Sequence, residues 1–337
     1  MKGLKLFVFM LTGCMFLLLP FGSAFAAEIN LTYGASEGAN HTFSKADKAW
    51  IEKIAQDTNG RVKITPYWGG TLLSRRENTE ELIRGVADLG YISPRTGYPL
   101  MLGTYGFPYG ISDWRTIWRI YEEVDKEFPE LDGEFDKLKI MAKSVASNYH
   151  LISRKPIRSA ADFKGLMVKA TGAYISVIKE LGGDAAYIPM GDTYVALQKG
   201  TIDACLAPYN TLYAYKFHEV ANYITVLNLQ SAVRPTRAMN LNSWNRLPKD
   251  IQEIFNKSIA FWSLKDNESR DEDDLAGEKL AREKGAEFIN LPPQDLATVY
   301  KACENAMMSE AAKLDEKGLP GTKIFKGVRR LVGQNTK

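Results

Sequence analysis

The apolar positions of the chain switch between a two-residue and a three-to-four-residue period, which predicts strands and helices in turn. Residues 29–33 alternate apolar and polar side chains, and residues 43–54 place their apolar side chains on one helical face. A second strand is predicted at 62–64, a helix at 78–84 and a buried strand at 86–92. This alternation is typical of α/β layers built on a largely parallel sheet.

The local plan occurs twice. Residues 82–88 and 197–203 both read L-x-x-G-x-x-D, in which a helix ends on glycine and leads into a strand. Upstream, a strand at 62–64 precedes Pro66, and a strand at 185–188 precedes Pro189. The matching order of strand, proline, helix, glycine and strand predicts two α/β lobes of similar local architecture.

Longer helices follow the second lobe. Pro248 opens an apolar pattern that continues with few breakers to about Lys284, which is long enough to span both lobes. Residues 296–307 mark a last helix, and the segment after Gly318 is basic and shows no clear pattern.

The first 26 residues resemble a secretory signal. Lys2 and Lys5 precede an apolar run over 6–19, and Ala24-Phe25-Ala26 offers small residues at the cleavage positions. We therefore expect cleavage after Ala26 and a periplasmic mature protein. A lipoprotein box at 11–14 is a rival interpretation, but the apolar run continues past it; an uncleaved membrane anchor is weaker, because the run is short for a span.

Composition narrows the class further. Apolar residues make up 45% and charged residues 25% of the 337-residue chain, as in globular proteins. The 43 Lys and Arg nearly balance the 40 Asp and Glu, which argues against a nucleic-acid or membrane-surface partner. Three cysteines exclude a disulfide scaffold; Cys205 and Cys303 remain after cleavage, and their apolar surroundings favour buried free thiols over a disulfide.

Catalytic and metal motifs are missing from the sequence. There is no nucleotide-binding glycine fingerprint, no nucleophile elbow and no H-E-x-x-H pair, and His41, His150 and His218 lack helical metal-ligand spacing. The acidic run 271–274 points around a helix and is interpreted as a solvated face. We therefore expect no enzyme activity, cofactor or metal; an extracytoplasmic hydrolase or lyase using His150 with Asp192 stays as an alternative.

The predicted strand ends carry a set of residues suited to binding. In open α/β sheets, ligands sit beyond the carboxyl ends of the strands. These ends are aromatic, cationic or hydrogen-bonding and show no nucleophile–base pair: Tyr33-Gly34, Tyr67-Trp68, Ser93-Pro94-Arg95, Asn148-Tyr149-His150, Lys169, Met190-Gly191-Asp192 and Pro208-Tyr209-Asn210. Such a mixture indicates ligand binding rather than catalysis.

Three segments resemble a known family. Residues 154–169 read R-K-P-I-R-S-A-A-D-F-K-G-L-M-V-K, residues 189–203 read P-M-G-D-T-Y-V-A-L-Q-K-G-T-I-D, and residues 244–248 read W-N-R-L-P. This pattern resembles the DctP-type extracytoplasmic solute-binding proteins of TRAP transporters. The resemblance implies a two-lobed periplasmic-binding-protein fold with hinge strands, which closes over a small ligand, usually a carboxylate, and delivers it to an ion-driven membrane permease.

The same resemblance implies the lobe bounds and the site. Lobe I would comprise 27–147 with 236–275, and lobe II 148–235 with 276–337. The chain departs from the family where the signature arginine is replaced by Lys169, a second arginine by Tyr149 and an asparagine by Ala207. Lysine offers one compact charge instead of the two-pronged contact of arginine, so the usual carboxylate clamp is weakened or rebuilt.

The predicted site follows from these departures. Arg95, Arg234 or Arg237 would replace the missing clamp, and Lys169 would neutralise an anionic group. Hydrogen bonds would come from Tyr149, Tyr209, Asn210 and Ser93, and Trp68 or Tyr67 would stack on the ligand body.

We therefore expect a monomeric binding protein that captures a small organic acid with an aromatic or bulky apolar part between two lobes. The sequence leaves the ligand's identity open. A sensory module that passes its ligand to a signalling receptor is a further alternative.

Overall fold

Two mixed sheets form the framework of the protein. The structure, a computed structural model, describes residues 28–93, 98–231 and 234–336. Its strands are β1 Ile29–Gly34, β2 Val62–Tyr67, β3 Leu89–Ile92, β4 Leu138–Lys143, β5 Tyr149–Ser153, β6 Met167–Lys169, β7 Asp184–Ala186, β8 Ala204–Ala207, β9 Tyr223–Leu229, β10 Thr236–Asn240 and β11 Glu287–Asn290.

The helices cover both faces of these sheets. They are α1 Thr42–Asp57, α2 Asn78–Ile83, α3 Pro99–Thr104, α4 Trp114–Glu127, α5 Glu130–Gly133, α6 Tyr174–Glu180, α7 Met190–Lys199, α8 Asn210–Ala214, α9 Leu241–Arg246, α10 Lys249–Glu283, α11 Pro293–Asp315 and α12 Gly321–Asn335, with 3₁₀ turns at Ala160–Phe163 and Phe217–Glu219. The predicted α/β class is confirmed.

Each lobe is built on one sheet, and both sheets are mixed rather than largely parallel. Lobe I has the strand order β2-β1-β3-β10-β4, and lobe II has β11-β9-β5-β8-β6-β7. In lobe I, β1 to β3 are parallel, and β10 is antiparallel to both β3 and β4. In lobe II, β6 to β8 are parallel and β5 is antiparallel to β8 and β9. The chain passes between the sheets three times, at β4–β5, at β9–β10 and, through α10, at β10–β11. The first two passages lead into β5 and β10, which are antiparallel to their neighbours.

The repeated motif marks equivalent positions in the two lobes. Gly85 and Gly200 end α2 and α7 with φ values of 80° and 72°, a region that glycine enters without steric cost. The aspartate of each motif accepts a hydrogen bond from the backbone of a neighbouring strand. Asp88 accepts from the Thr32 N–H of β1 at 2.8 Å, and Asp203 accepts from the Met167 N–H of β6 at 2.9 Å. The local similarity predicted for the two lobes is therefore visible in their hydrogen bonds.

The predicted long helix is confirmed and joins the two lobes. Helix α10 has 35 residues and packs against α1 of lobe I and α8 of lobe II; at 1.5 Å per residue it is roughly 50 Å long. Trp262 stacks on Trp50 of α1 with ring centroids 3.8 Å apart. At the other end, Gly277 lies so close to α8 that a Cβ there would sit 2.1 Å from the Tyr209 carbonyl oxygen.

The interpretation of the C-terminal segment was wrong. Residues 321–335 form helix α12, which follows the helix expected to be the last one. Its apolar side chains Ile324, Phe325, Val328 and Leu331 are buried in a core that also contains residues of α3, α4 and α11. Their i, i+1, i+4, i+7 spacing is helical, but basic residues between them hide the stripe.

The expectation for the two cysteines can be compared with the structure, whereas those for the N-terminal segment and Arg95 concern residues outside the described ranges. Cys205 and Cys303 are free and buried, as the sequence favoured. The predicted signal peptide and its rivals fall on residues 1–27, outside the described residues, and so does Arg95. Within the described ranges, no helix is both long and apolar enough to cross a bilayer.

Candidate functional site

The strand ends of the two sheets meet at one seam. In lobe I, β1, β2 and β3 end where β4 ends and β10 begins; in lobe II, β6, β7 and β8 end where β5 begins and β9 ends. Because β4 connects to β5 through only residues 144–148, these two edges adjoin each other. Asn148-Tyr149-His150 begins a strand rather than ending one, but the antiparallel direction of β5 still brings it to the seam.

Lys169 is a buried cation at this seam. It is the last residue of β6, its exposed fraction is 2%, and it lies opposite Cys205 of β8. Among the described residues, none forms an ion pair or hydrogen bond with its ammonium group. Burial lowers the pKa of Lys169, and burial likewise raises the pKa of the neighbouring Cys205 thiol to about 12, so that thiol stays neutral. An anion would supply the missing counter-charge.

Tyr149 approaches the same edge from the other face of the sheet. Its ring packs against the lobe II core and lies 6.4 Å from the Tyr174 ring. Burial raises the pKa of the Tyr149 phenol, while the Ser231 and Thr171 hydroxyls act against that shift. The phenol is therefore a neutral hydrogen-bond donor next to two hydroxyls.

Three polar side chains that the sequence did not single out have unused hydrogen-bonding atoms near the seam. Thr171 follows β6 and its Oγ1 is buried without a partner among the described residues; the same holds for Oε1 of Gln230, which follows β9. In lobe I, Asn78 accepts the Ser93 N–H at 3.0 Å, but its Nδ2 has no partner in the described chain. The positions of Thr171 and Gln230 directly after strands were the available signal.

Aromatic side chains line the lobe I side. Trp68 follows β2, is half-buried and lies 5.6 Å from the Tyr33 ring. Phe43, near the start of α1, lies 5.2 Å from the Tyr91 ring of β3. Ser93 follows β3 beside them. The predicted residues Trp68 and Ser93 are thus placed at the seam, while Tyr67 is 40% exposed.

The two arginines near the crossover already have carboxylate partners. Arg234 forms a two-pronged pair with Asp125 at 2.7 and 2.9 Å and lies over the Tyr121 ring. Arg237 is 1% exposed and pairs with Asp47 at 3.0 Å and with Asp266 at 2.8 Å. Both guanidinium groups are neutralised within the protein, which favours a structural role for each.

Arg237 belongs to a network that ties lobe I to α10. Asp47 of α1 also accepts hydrogen bonds from the Tyr33 hydroxyl at 2.6 Å and from Trp262 Nε1 at 2.9 Å. Asp266 of α10 accepts from Arg270 and from the Ser144 hydroxyl of the crossover segment. The arginine partners lower the pKa of Asp266 against the effect of burial, whereas burial raises the pKa of Asp47 despite Arg237. The two arginines and two aspartates of this network balance each other in charge.

Tyr209 and Asn210 lie toward α10. The Tyr209 ring stacks on His150 with centroids 3.9 Å apart, and the Asn210 N–H donates to Asp274 at 2.9 Å. His150 accepts the Leu227 N–H, and burial lowers its pKa to about 3, so the imidazole is neutral. No contact joins His150 to Asp192 in the described ranges, so no observation favours the acid–base pair of the hydrolase alternative.

A family model matches most of the chain. The model described as bacterial extracellular solute-binding protein, family 7 (DctP) covers residues 33–313. Since this is well over half of the sequence, the chain belongs to the DctP family of solute-binding proteins. The described residues contain no group of three or more His, Cys, Asp or Glu arranged to hold a metal ion.

Individual relatives agree with this assignment. The chain is 27% identical over 248 residues to the monocarboxylate 2-oxoacid-binding periplasmic protein of Nostoc sp. PCC 7120, and the match covers 68% of this chain and 65% of that protein. A TRAP periplasmic solute-binding protein from Desulfovibrio salexigens superposes with a TM-score of 0.82 at 25% identity, covering 91% of this chain and 96% of that one. A marine-metagenome TRAP solute-binding protein specific for aromatic acids has the same fold, with a TM-score of 0.80 at 20% identity over 92% of this chain and all of that one. The two-lobed fold predicted from the sequence is confirmed.

Proposed function

We propose that this protein captures a small organic monocarboxylate between its lobes in the periplasm and delivers it to a TRAP-type permease. The observation that carries the proposal is Lys169, a buried lysine at the seam with no counter-ion among the described residues. A buried unpaired charge is costly, and a ligand carboxylate would compensate it.

The charge balance of the seam supports a singly charged ligand. Arg234 and Arg237 are neutralised by Asp125, Asp47 and Asp266, which leaves Lys169 as the uncompensated cation among the described residues of this seam. We therefore leave Arg234 and Arg237 out of the proposed site. The name of the Nostoc relative, a monocarboxylate-binding protein, agrees with this choice.

The aromatic lining of lobe I supports a ligand with an apolar body. The Trp68, Phe43 and Tyr91 rings offer flat apolar surfaces, and Tyr149 with Thr171 offers hydroxyls on the lobe II side. A carboxylate held by Lys169 and a ring or short chain packed on lobe I would make the ligand bridge both lobes. Such bridging shifts the population toward the closed form.

Secretion and delivery complete the proposal. Residues 1–26 would direct export and be removed, and the mature protein would act as a monomer. The permease would then accept the ligand when the lobes open. We propose no cofactor and no turnover of the ligand.

The test is a thermal-shift and calorimetric comparison of acids with their uncharged amides. Benzoate, phenylacetate and pyruvate are paired with benzamide, phenylacetamide and pyruvamide. An acid at 100 times its Kd adds about 2.7 kcal/mol, which raises Tm by roughly 4 °C for a chain of this length. We expect at least one acid to do so and its amide to fail.

Two lysine variants make this test specific. Lys169→Met should abolish the acid response, whereas Lys155→Met, at an exposed position after β5, should keep it. If acids stabilise the Lys169→Met protein as strongly as the parent, Lys169 does not hold the carboxylate. If no acid in a broad panel stabilises the parent protein, the proposed ligand class is wrong.

A further inference from the structure

A cavity, called the hinge cavity below, lies beside the segment 144–148 that connects β4 to β5. It has a volume of about 300 Å³ and is enclosed by α10, the crossover segment 145–148, β5, β9 and the start of α4. This volume is at the lower end of the range found for small-molecule sites. Leu275, which is 59% exposed, lines its rim, so the cavity opens to solvent along α10.

The α10 wall of this cavity is acidic. Asp271, Asp274 and Glu278 all line it. Glu278 pairs with Arg282 at 2.6 Å, but neither Asp271 nor Asp274 has an ion-pair partner among the described residues. Arg270 also lines the cavity, and its charge is already matched by Asp266 at 2.6 Å. The cavity therefore carries an uncompensated negative charge, opposite to that of the Lys169 seam.

Three buried polar atoms of the lining have no partner within the described chain. Asn267 is 2% exposed; its Oδ1 accepts the Val145 N–H at 2.7 Å, whereas its Nδ2 is unused. The Oδ1 of Asn148 and the Nε1 of Trp114 are also buried and unused. Because buried polar atoms are nearly always hydrogen-bonded, this cluster offers three hydrogen-bonding atoms to a molecule that enters the cavity.

Aromatic faces complete the lining. Trp114, Tyr209 and His150 contribute rings, and His150 is neutral because burial lowers its pKa to about 3. The faces of tryptophan and tyrosine attract cations. Arg115, which does not line the cavity, lies 4.4 Å from the Trp114 ring centroid, so the Tyr209 ring and Trp114 Nε1 are the parts of this aromatic set that a ligand would use.

We propose that this hinge cavity is a second binding site, which takes a small primary amine that also carries a hydrogen-bonding group. The ammonium would bind between Asp271 and Asp274, with Asn148 Oδ1 as a neutral acceptor. The ligand's second polar group would accept hydrogen bonds from Asn267 Nδ2 and Trp114 Nε1. The cavity volume of about 300 Å³ limits the ligand to a small amine.

The site is separate from the proposed carboxylate site. Lys169, Tyr149, Thr171 and Trp68 do not line this cavity. The two sites also select ligands of opposite charge. Binding of an amine should therefore survive the Lys169→Met change that abolishes the acid response.

The experiment is a calorimetric titration at pH 8 with three compounds of matched shape. The probes are 4-amino-1-butanol, n-butylamine and 1,4-butanediol, which carry both groups, the ammonium alone and no charge. We expect saturable binding of 4-amino-1-butanol, weaker binding of n-butylamine and none of 1,4-butanediol. Equal binding of the diol and the amino alcohol, or no binding of either amine at millimolar concentration, would overturn the proposal.

Two variants of α10 locate the site. Asp271→Asn removes one charge from the cavity, and Glu272→Gln removes the same charge from the neighbouring exposed position, which does not line it. Loss of one charge-assisted hydrogen bond weakens binding by about 10- to 100-fold, so Asp271→Asn should show this loss and Glu272→Gln should not. If both variants bind 4-amino-1-butanol as the parent does, the amine is not held in this cavity; the Lys169→Met protein should bind it unchanged.

Discussion

Replacing Lys169 by methionine should stabilise the ligand-free protein while removing its function. Methionine has a similar length and shape, so it fills the space left by the lysine stem without a charge. Lys169 is 2% exposed and has no counter-ion among the described residues, so the native state bears a cost for the desolvation of its charge. The unfolded state bears no such cost, because water solvates the lysine there.

The magnitude follows from the cost of a buried group without a partner, which is about 1–3 kcal/mol and larger when the group is charged. We therefore expect Lys169→Met to raise the free energy of unfolding by at least about 1 kcal/mol near neutral pH, or Tm by at least roughly 1.5 °C. The exposed Lys155→Met change should stay within about 0.5 kcal/mol of the parent.

The difference should also depend on pH with a defined sign. Burial lowers the pKa of Lys169 below its usual 10.5, so the unfolded state binds more protons than the folded state between those two values. The stability of the parent then rises with pH in that window, and its deficit relative to Lys169→Met narrows toward pH 10.5. Urea denaturation at pH 7, 9 and 10 measures this. A Lys169→Met protein less stable than the parent by a pH-independent amount would show that the ammonium has a stabilising partner.

Three further predictions concern the hinge. Burial raises the pKa of Asp274 to about 6, so its ionised form destabilises the fold above that pH. The Asp274→Asn protein should therefore be more stable than the parent by up to about 3 kcal/mol at pH 8, and this advantage should be gone near pH 4. A stability difference in chemical denaturation that does not change with pH would contradict this. Arg237→Met leaves the buried Asp47 without a cation and leaves Asp266 with Arg270 alone, and it should cost about 3–5 kcal/mol in urea denaturation; a loss under 1 kcal/mol would mean that the network contributes little. Gly277→Ala places a Cβ 2.1 Å from the Tyr209 carbonyl oxygen and should lower the free energy of unfolding by about 1–3 kcal/mol in the same measurement. Gly133→Ala, whose Cβ would have no atom within 4 Å, should be tolerated. Equal effects of the two changes would refute the packing argument.

The sequence predicted most of the fold because its signals were local. The L-x-x-G-x-x-D repeat, the apolar periods and the run after Pro248 depend on neighbours within a few residues, and all three correspond to observed elements. Helix α12 was not predicted, because lysines and arginines interrupt its apolar stripe. The mixed strand directions were not predicted either. They depend on where the chain crosses between the lobes, and the apolar periodicity carries no information on these crossings.

The candidate site was only partly within reach of the sequence. Lys169 and Tyr149 were found because strand ends and a family resemblance point to them. The commitment of Arg234 to Asp125 depends on a pair 109 residues apart in the chain, and the unused atoms of Thr171 and Gln230 become visible only when their surroundings are known. Neither kind of information is encoded in the spacing of residue types. The ligand roles of these residues remain predictions.

The Gly277 contact limits how the molecule can flex. The backbone of α10 contacts the Tyr209 carbonyl that precedes α8, and its other half is held by the Trp50–Trp262 stack and the Arg237–Asp266 pair. Sliding of α10 along either lobe would break these contacts. Opening of the lobes that keeps these contacts would require α10 to bend or the lobes to rotate about the Gly277 contact. A side chain added at Gly277 would therefore change how far the two lobes can open, in addition to lowering the stability of the fold.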